Sequence, residues 1–121
     1  MATLDPKMVL VVEDEPLVRM VAAETLAAAG YLILEAGTGD EAILIISAGA
    51  PLTAVVTDIE MPGAVDGLEL PKAIETRWPE IAIVIVSGRR LPAPDELPLK
   101  AVFLPKPYSP ERLIAAVGAA L

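Results

Sequence analysis

The 121-residue chain has no histidine and no cysteine. Without imidazole it can build no Ser-His-Asp or Cys-His triad, no imidazole metal site and no phosphohistidine of its own. Without thiols there is no disulfide framework and no thiolate metal centre. Acid–base or nucleophilic work therefore falls to carboxylates, hydroxyls, lysine or tyrosine. Aromatic residues are scarce at 3 %, which leaves no stacking platform for single-stranded nucleic acid. Positive charge is short as well: nine Lys and Arg stand against 17 Asp and Glu, a net charge of −8. That balance argues against a direct nucleic-acid partner.

Long hydrophobic runs are also missing. The composition is 55 % hydrophobic with a mean hydropathy of +0.60, but charges or prolines interrupt each run before it reaches the length of a membrane span. The opening residues Met1 to Lys7 lack a basic stretch followed by an apolar one, so no signal peptide and no membrane insertion are expected. The expected compartment is the cytoplasm. The length suits one domain, 1–121, with residues 1–7 as a flexible tail.

What is present is a strand–helix alternation. Met8 to Val12 is a buried-strand run, followed by Glu13, Asp14 and Glu15. Pro16 suits a first helical turn, and Leu17, Met20, Val21 and Leu26 continue at helical spacing up to Gly30. Tyr31 to Glu35 reads as a second strand. Thr38 to Glu41 is a capping box opening a second helix. Ala54 to Thr57 forms a third strand that ends in Asp58. A third helix is drawn from Asp66 to about Trp78, with Pro71 awkward inside it. Ile81 to Val86 is a fourth strand, leading into Ser87. A fifth lies within Leu99 to Leu104, and Ser109-Pro110 opens the last helix. Apolar strands alternating with helices indicate an α/β fold, a parallel sheet covered on both faces. Pro92, Pro94 and Pro98 break the alternation, so the helix expected between strands four and five is replaced by, or shortened to, an irregular loop.

In such a sheet every strand's carboxyl end faces one side, where open α/β sheets place their sites. The residues just past the strands are Glu13 and Asp14, Asp58, Ser87 and Lys106. Clustered carboxylates repel one another, and a hard cation such as Mg²⁺ relieves this with oxygen ligands alone. Lys106 can neutralise Asp58 and hold a phosphoryl oxygen. Ser87 can donate to another, and Asp58 is a plausible nucleophile.

The stretches Val9 to Pro16, Thr57 to Gly63 with Asp66 to Leu70, Val86 to Gly88, and Leu104 to Tyr108 together resemble the receiver domain of two-component response regulators, the CheY-like family. The resemblance covers nearly the whole chain. It implies a doubly wound five-stranded sheet in the order 2-1-3-4-5 (flavodoxin-like), with Asp58 as phosphoacceptor. It further implies Mg²⁺ held by Glu13, Asp14, Asp58 and the backbone carbonyl of Glu60, with Lys106 as the site lysine. Ser87 and Phe103 take the switch positions, and the Lys106-Pro107 bond is expected to be cis. The implied partners are a sensor histidine kinase or histidine phosphotransfer protein and a downstream protein. The implied role is a signalling switch, stand-alone or part of a hybrid kinase, and not a metabolic enzyme. Arg89 is placed to pair with Glu60 across the mouth. Two departures stand out: one extra residue between Pro62 and Gly67, and the proline-rich segment. The first is a feature of receivers attached to hybrid kinases; the second keeps open a non-phosphorylated interaction module as the alternative. An aspartyl phosphohydrolase is disfavoured, because Glu60 stands where such enzymes place a second aspartate.

Overall fold

Runs of β-branched and aliphatic residues become five parallel strands in the computed structural model, which describes residues 6–60, 68–88, 97, 98 and 100–121. The elements follow in the order β1 (Met8–Val12), α1 (Pro16–Ala28), β2 (Leu32–Ala36), α2 (Gly39–Ser47), β3 (Leu52–Asp58), α3 (Glu69–Arg77), β4 (Ala82–Ser87), β5 (Val102–Pro105) and α4 (Pro110–Ala120). The strands lie in the order β2-β1-β3-β4-β5, all pairs parallel. The expected order is thus borne out. The proline-rich segment lies outside the described residues except for Leu97 and Pro98, as do Asp66, Arg89 and residues 1–5. The Lys7 carbonyl accepts from the Leu32 amide at 2.9 Å, tying the chain to β2 just before β1.

The sheet is buried because both faces are apolar, and the period-2 pleat divides its side chains between two cores. Leu10, Val12, Val55, Ile83 and Ile85 pack with Ala42 and Ile46 of α2 and with Leu70 and Ile74 of α3. Val9, Val11, Val56, Val84 and Val86 pack with Ala22 and Leu26 of α1 and with Leu113, Ala116 and Val117 of α4. Each fully buried aliphatic side chain contributes roughly 1.5–3 kcal/mol of transfer free energy.

Local signals set the helix ends. Pro16 occupies the first turn of α1, where a missing N–H costs nothing. The helix is followed by Gly30 at φ +102°, a conformation that suits glycine. Thr38 Oγ1 accepts from the Glu41 amide at 3.0 Å, and the Glu41 carboxylate accepts from the Gly37 amide at 3.3 Å. Ser109 Oγ accepts from the Arg112 amide at 3.2 Å. Helix α3 starts at Glu69, later than Asp66. Pro71 therefore falls in the first turn, where its nitrogen would have had no partner within the helix. No helix among the described residues is long and apolar enough to cross a membrane.

Candidate functional site

Strand register brings the site together. Thr57 lies beside Val12, Asp58 beside Val86, and Ser87 beside Pro105. Glu13, Asp58 and Lys106 thus stand at the same rim. Backbone bonds extend the ladder past the strand ends: Glu13 N to Ala36 O at 3.0 Å, Ile59 N to Val86 O at 3.1 Å, and Lys106 N to Ser87 O at 2.9 Å. β5 is an edge strand, so Pro105 can end it without breaking an interior ladder. The Lys106-Pro107 bond is cis, as the family resemblance implied.

The pleat decides which side chains meet. Glu13 continues the series Val9, Val11; Asp58 continues Ala54, Val56; Lys106 follows Leu104. All three series belong to the α1/α4 face. Accordingly Lys106 Nζ lies 2.6 Å from Asp58 Oδ2 and 2.9 Å from Glu13 Oε1. Asp58 is 4 % exposed and Glu13 5 %, so a single ammonium bridges two carboxylates that water barely reaches. The second Asp58 oxygen, Oδ1, accepts from the Glu60 amide at 2.7 Å.

Ser87 continues Ile83 and Ile85 and so belongs to the other face. It is fully buried, and its hydroxyl donates to the Glu60 carboxylate. Phe103 pairs in register with Ile85 and packs, half-buried, against the α2/α3 core. It therefore shares Ser87's face.

Glu13, Asp14 and Asp58 each offer an oxygen, and these oxygens all lie within 4.8 Å of one another. At that separation two full charges repel by roughly 3–4 kcal/mol at an effective dielectric of about 20. Lys106 offsets only part of this. Burial pushes the Glu13 carboxyl up to about 7; Lys106 pulls it down, while Asp14 and Asp58 raise it. Burial lowers the Lys106 ammonium, but its bonds to Asp58 and Glu13 outweigh that and hold it above the ordinary lysine value. The cluster relieves its excess negative charge either by a proton on Glu13 or by a cation. An all-oxygen, carboxylate-rich donor set fits a hard divalent ion.

Three features were not anticipated. The Glu60 side chain reaches Ser87, which depends on the loop path and not on spacing. Arg19 Nη1 donates to the Glu13 carbonyl at 2.8 Å and its Nε to Glu35 at 3.3 Å, bracing the acidic turn from α1. Beside the mouth a groove of ≈ 700 Å³ runs along Leu17, Val18 and Val21 to Gly88, Lys106 and Tyr108. Leu17 and Val21 are 73 % and 56 % exposed. A Cβ on Gly88 would come within 3.3 Å of Lys106 Cβ, so the absence of a side chain there leaves the lysine its room.

The chain is similar to known proteins in sequence and in fold. Residues 9–118 match the model of the response regulator receiver domain. The chain is 38 % identical to the sensor kinase CckA of Brucella abortus over 117 residues, covering 90 % of this chain but 12 % of that protein. It is 35 % identical to the transcriptional regulatory protein FixJ of Azorhizobium caulinodans over 92 % of this chain and 53 % of that one. The chain therefore spans only part of the curated relatives it matches. Among solved structures, a response regulator receiver protein from Sinorhizobium medicae superposes with a TM-score of 0.82 at 29 % identity, covering 96 % of this chain and 94 % of the other. With the 2-1-3-4-5 sheet and the rim of acids and lysine already described, the match over nearly the full length places this chain in the response regulator receiver domain family of two-component systems.

Proposed function

We propose that Asp58 accepts a phosphoryl group from a histidine kinase or histidine phosphotransfer protein, and that the resulting aspartyl phosphate changes which protein the domain binds. The carrying observation is the Lys106 ammonium at 2.6 Å from a nearly buried Asp58, beside two further acids that suit a cation. In the forward step an Asp58 oxygen attacks phosphorus. The new O–P bond forms as the P–N bond of the donor imidazole breaks, the electron pair leaves with nitrogen, and the imidazole takes a proton from solvent. Lys106, already 2.6 Å from the acceptor carboxylate, holds a phosphoryl oxygen as charge builds, a cation in place before the reaction. Ser87 donates to a second phosphoryl oxygen, and Phe103, on the same face, carries the change toward the surface. Mg²⁺ would be held by Glu13, Asp14, Asp58 and the Glu60 carbonyl, and when bound it would supply neutralisation of the transferring charge. Hydrolysis is the analogous step with water: its oxygen bonds to phosphorus and it gives up a proton to solvent, while the O–P bond to Asp58 breaks and Asp58 departs as carboxylate.

The groove between α1 and the turn after β5 opens onto Lys106. The same rim therefore offers the donor protein an apolar seat beside the acceptor. Receiver domains are phosphorylated signalling switches and not metabolic enzymes. This domain's output belongs either to a partner or to further domains, as in its longer relatives. Incubation with Mg²⁺ and acetyl phosphate, read by intact mass, tests the reading. The native chain is expected to gain one phosphoryl group and Asp58→Asn none. A native chain that gains nothing would support the non-phosphorylated interaction module instead.

A further inference from the structure

We infer that Glu60 is a positioning residue that takes up the hydrogen bond of the Ser87 hydroxyl at rest and must release it when a phosphoryl group arrives at Asp58. The inference rests on the phosphoacceptor reading of Asp58. Glu60 touches both partners: its amide donates to Asp58 Oδ1 at 2.7 Å, and its carboxylate accepts from Ser87 Oγ. The placement follows from the chain path. The Ile59 amide is tied to the Val86 carbonyl at 3.1 Å, so the next residue on each segment, Glu60 and Ser87, are neighbours.

A serine hydroxyl has one proton to give. Donation to Glu60 and donation to a phosphoryl oxygen are therefore mutually exclusive. Ser87 is fully buried, and a buried hydroxyl without an acceptor is costly. The resting carboxylate meets that need, and a carboxylate is a stronger acceptor than a neutral group. Each phosphorylation must break this bond before Ser87 can turn to its new acceptor. Glu60 thereby opposes the activated state through Ser87, beyond any repulsion between its charge and the phosphoryl oxygens.

Beryllium fluoride with Mg²⁺ is a stable stand-in for the aspartyl phosphate, and the ¹⁹F resonance of the bound form reads its affinity. Glu60→Ala is expected to tighten binding by roughly five- to tenfold, the worth of one charge-assisted hydrogen bond less its exchange with water. Glu60→Gln keeps a neutral acceptor for Ser87 and is expected to fall between native and Glu60→Ala. In a Ser87→Ala background, Glu60→Ala should change affinity less than about twofold, because the coupling has lost its second member. Three results overturn the inference: no tightening in Glu60→Ala, equal tightening in Gln and Ala variants, or an undiminished effect without the Ser87 hydroxyl. The last two assign Glu60 a purely electrostatic role. A native chain that takes no beryllium fluoride sinks the phosphoacceptor reading itself. Native binding with all variants alike sinks only the role of Glu60.

Discussion

Lys106 and Asp58 form an ion pair of 2.6 Å in which the carboxylate is nearly buried while the lysine side chain keeps 26 % of its exposure. The lysine also holds Glu13 at 2.9 Å, so removing it strands two buried carboxylates. Lys106→Met is expected to destabilise the metal-free chain by about 2–3 kcal/mol at pH 8, below the range for fully buried pairs because water reaches the lysine. Urea unfolding measures this. The loss should shrink when Mg²⁺ is added. Unchanged stability would mean that the pair adds nothing to the fold.

The Glu13 carboxyl, raised to about 7 mainly by burial, makes metal binding pH-dependent. A cation binds the deprotonated form, so Mg²⁺ affinity should rise as pH climbs through about 7 and level off above it. Below that point each unit of pH costs up to about tenfold. The stability sign is the reverse for the metal-free chain. A carboxyl raised above its unfolded value of 4.5 favours folding fully below 4.5, and this contribution is lost as pH rises through about 7. Glu13→Gln should flatten both dependences. Magnesium titrations between pH 5.5 and 8.5 decide the first, and urea midpoints over the same range the second.

Arg19 links α1 to the Glu13 carbonyl at 2.8 Å. Arg19→Gln should cost about 1 kcal/mol of stability, a typical hydrogen-bond contribution. It should also weaken Mg²⁺ a few-fold by loosening the turn that presents Glu13 and Asp14. If Mg²⁺ affinity holds while stability falls, Arg19 serves the fold alone.

Leu17 and Val21 rim the groove beside Lys106. Leu17→Glu is expected to slow transfer from a phosphohistidine protein by about tenfold or more, as for loss of an apolar anchor. It should leave labelling by acetyl phosphate unchanged, since a small donor needs no apolar seat. Equal rates from the protein donor would place docking elsewhere.

Much of this was legible in the chain. The β-branched runs gave the strands, Pro16, Thr38 and Ser109 marked helix starts, and the residue after each strand named the rim. The family resemblance added the sheet order and the cis bond at Pro107. The start of α3 was less clear, because Pro71 fits a helix only in its first turn and the spacing alone did not say which residue comes first. The hydrogen bond between Glu60 and Ser87 was not legible at all. It depends on the pleat sending Ser87 to the face opposite Asp58 and on the loop after β3 carrying a long side chain back over it. Arg19 was invisible for a similar reason: its partner is a backbone carbonyl, which carries no sequence signal.

Asp58 ends the central strand, hydrogen-bonded through β3 to neighbours on both sides, whereas Lys106 follows an edge strand, β5, whose ladder partner among the described residues is β4 alone. Edges of a sheet fray more readily than its middle. The anion is therefore anchored in the middle of the sheet, and its counter-charge rides on an edge. On the phosphoacceptor reading, loosening of that margin would withdraw the ammonium while leaving the acid in place, so substitutions that weaken the β4–β5 pairing are expected to change how long the phosphoryl group lasts.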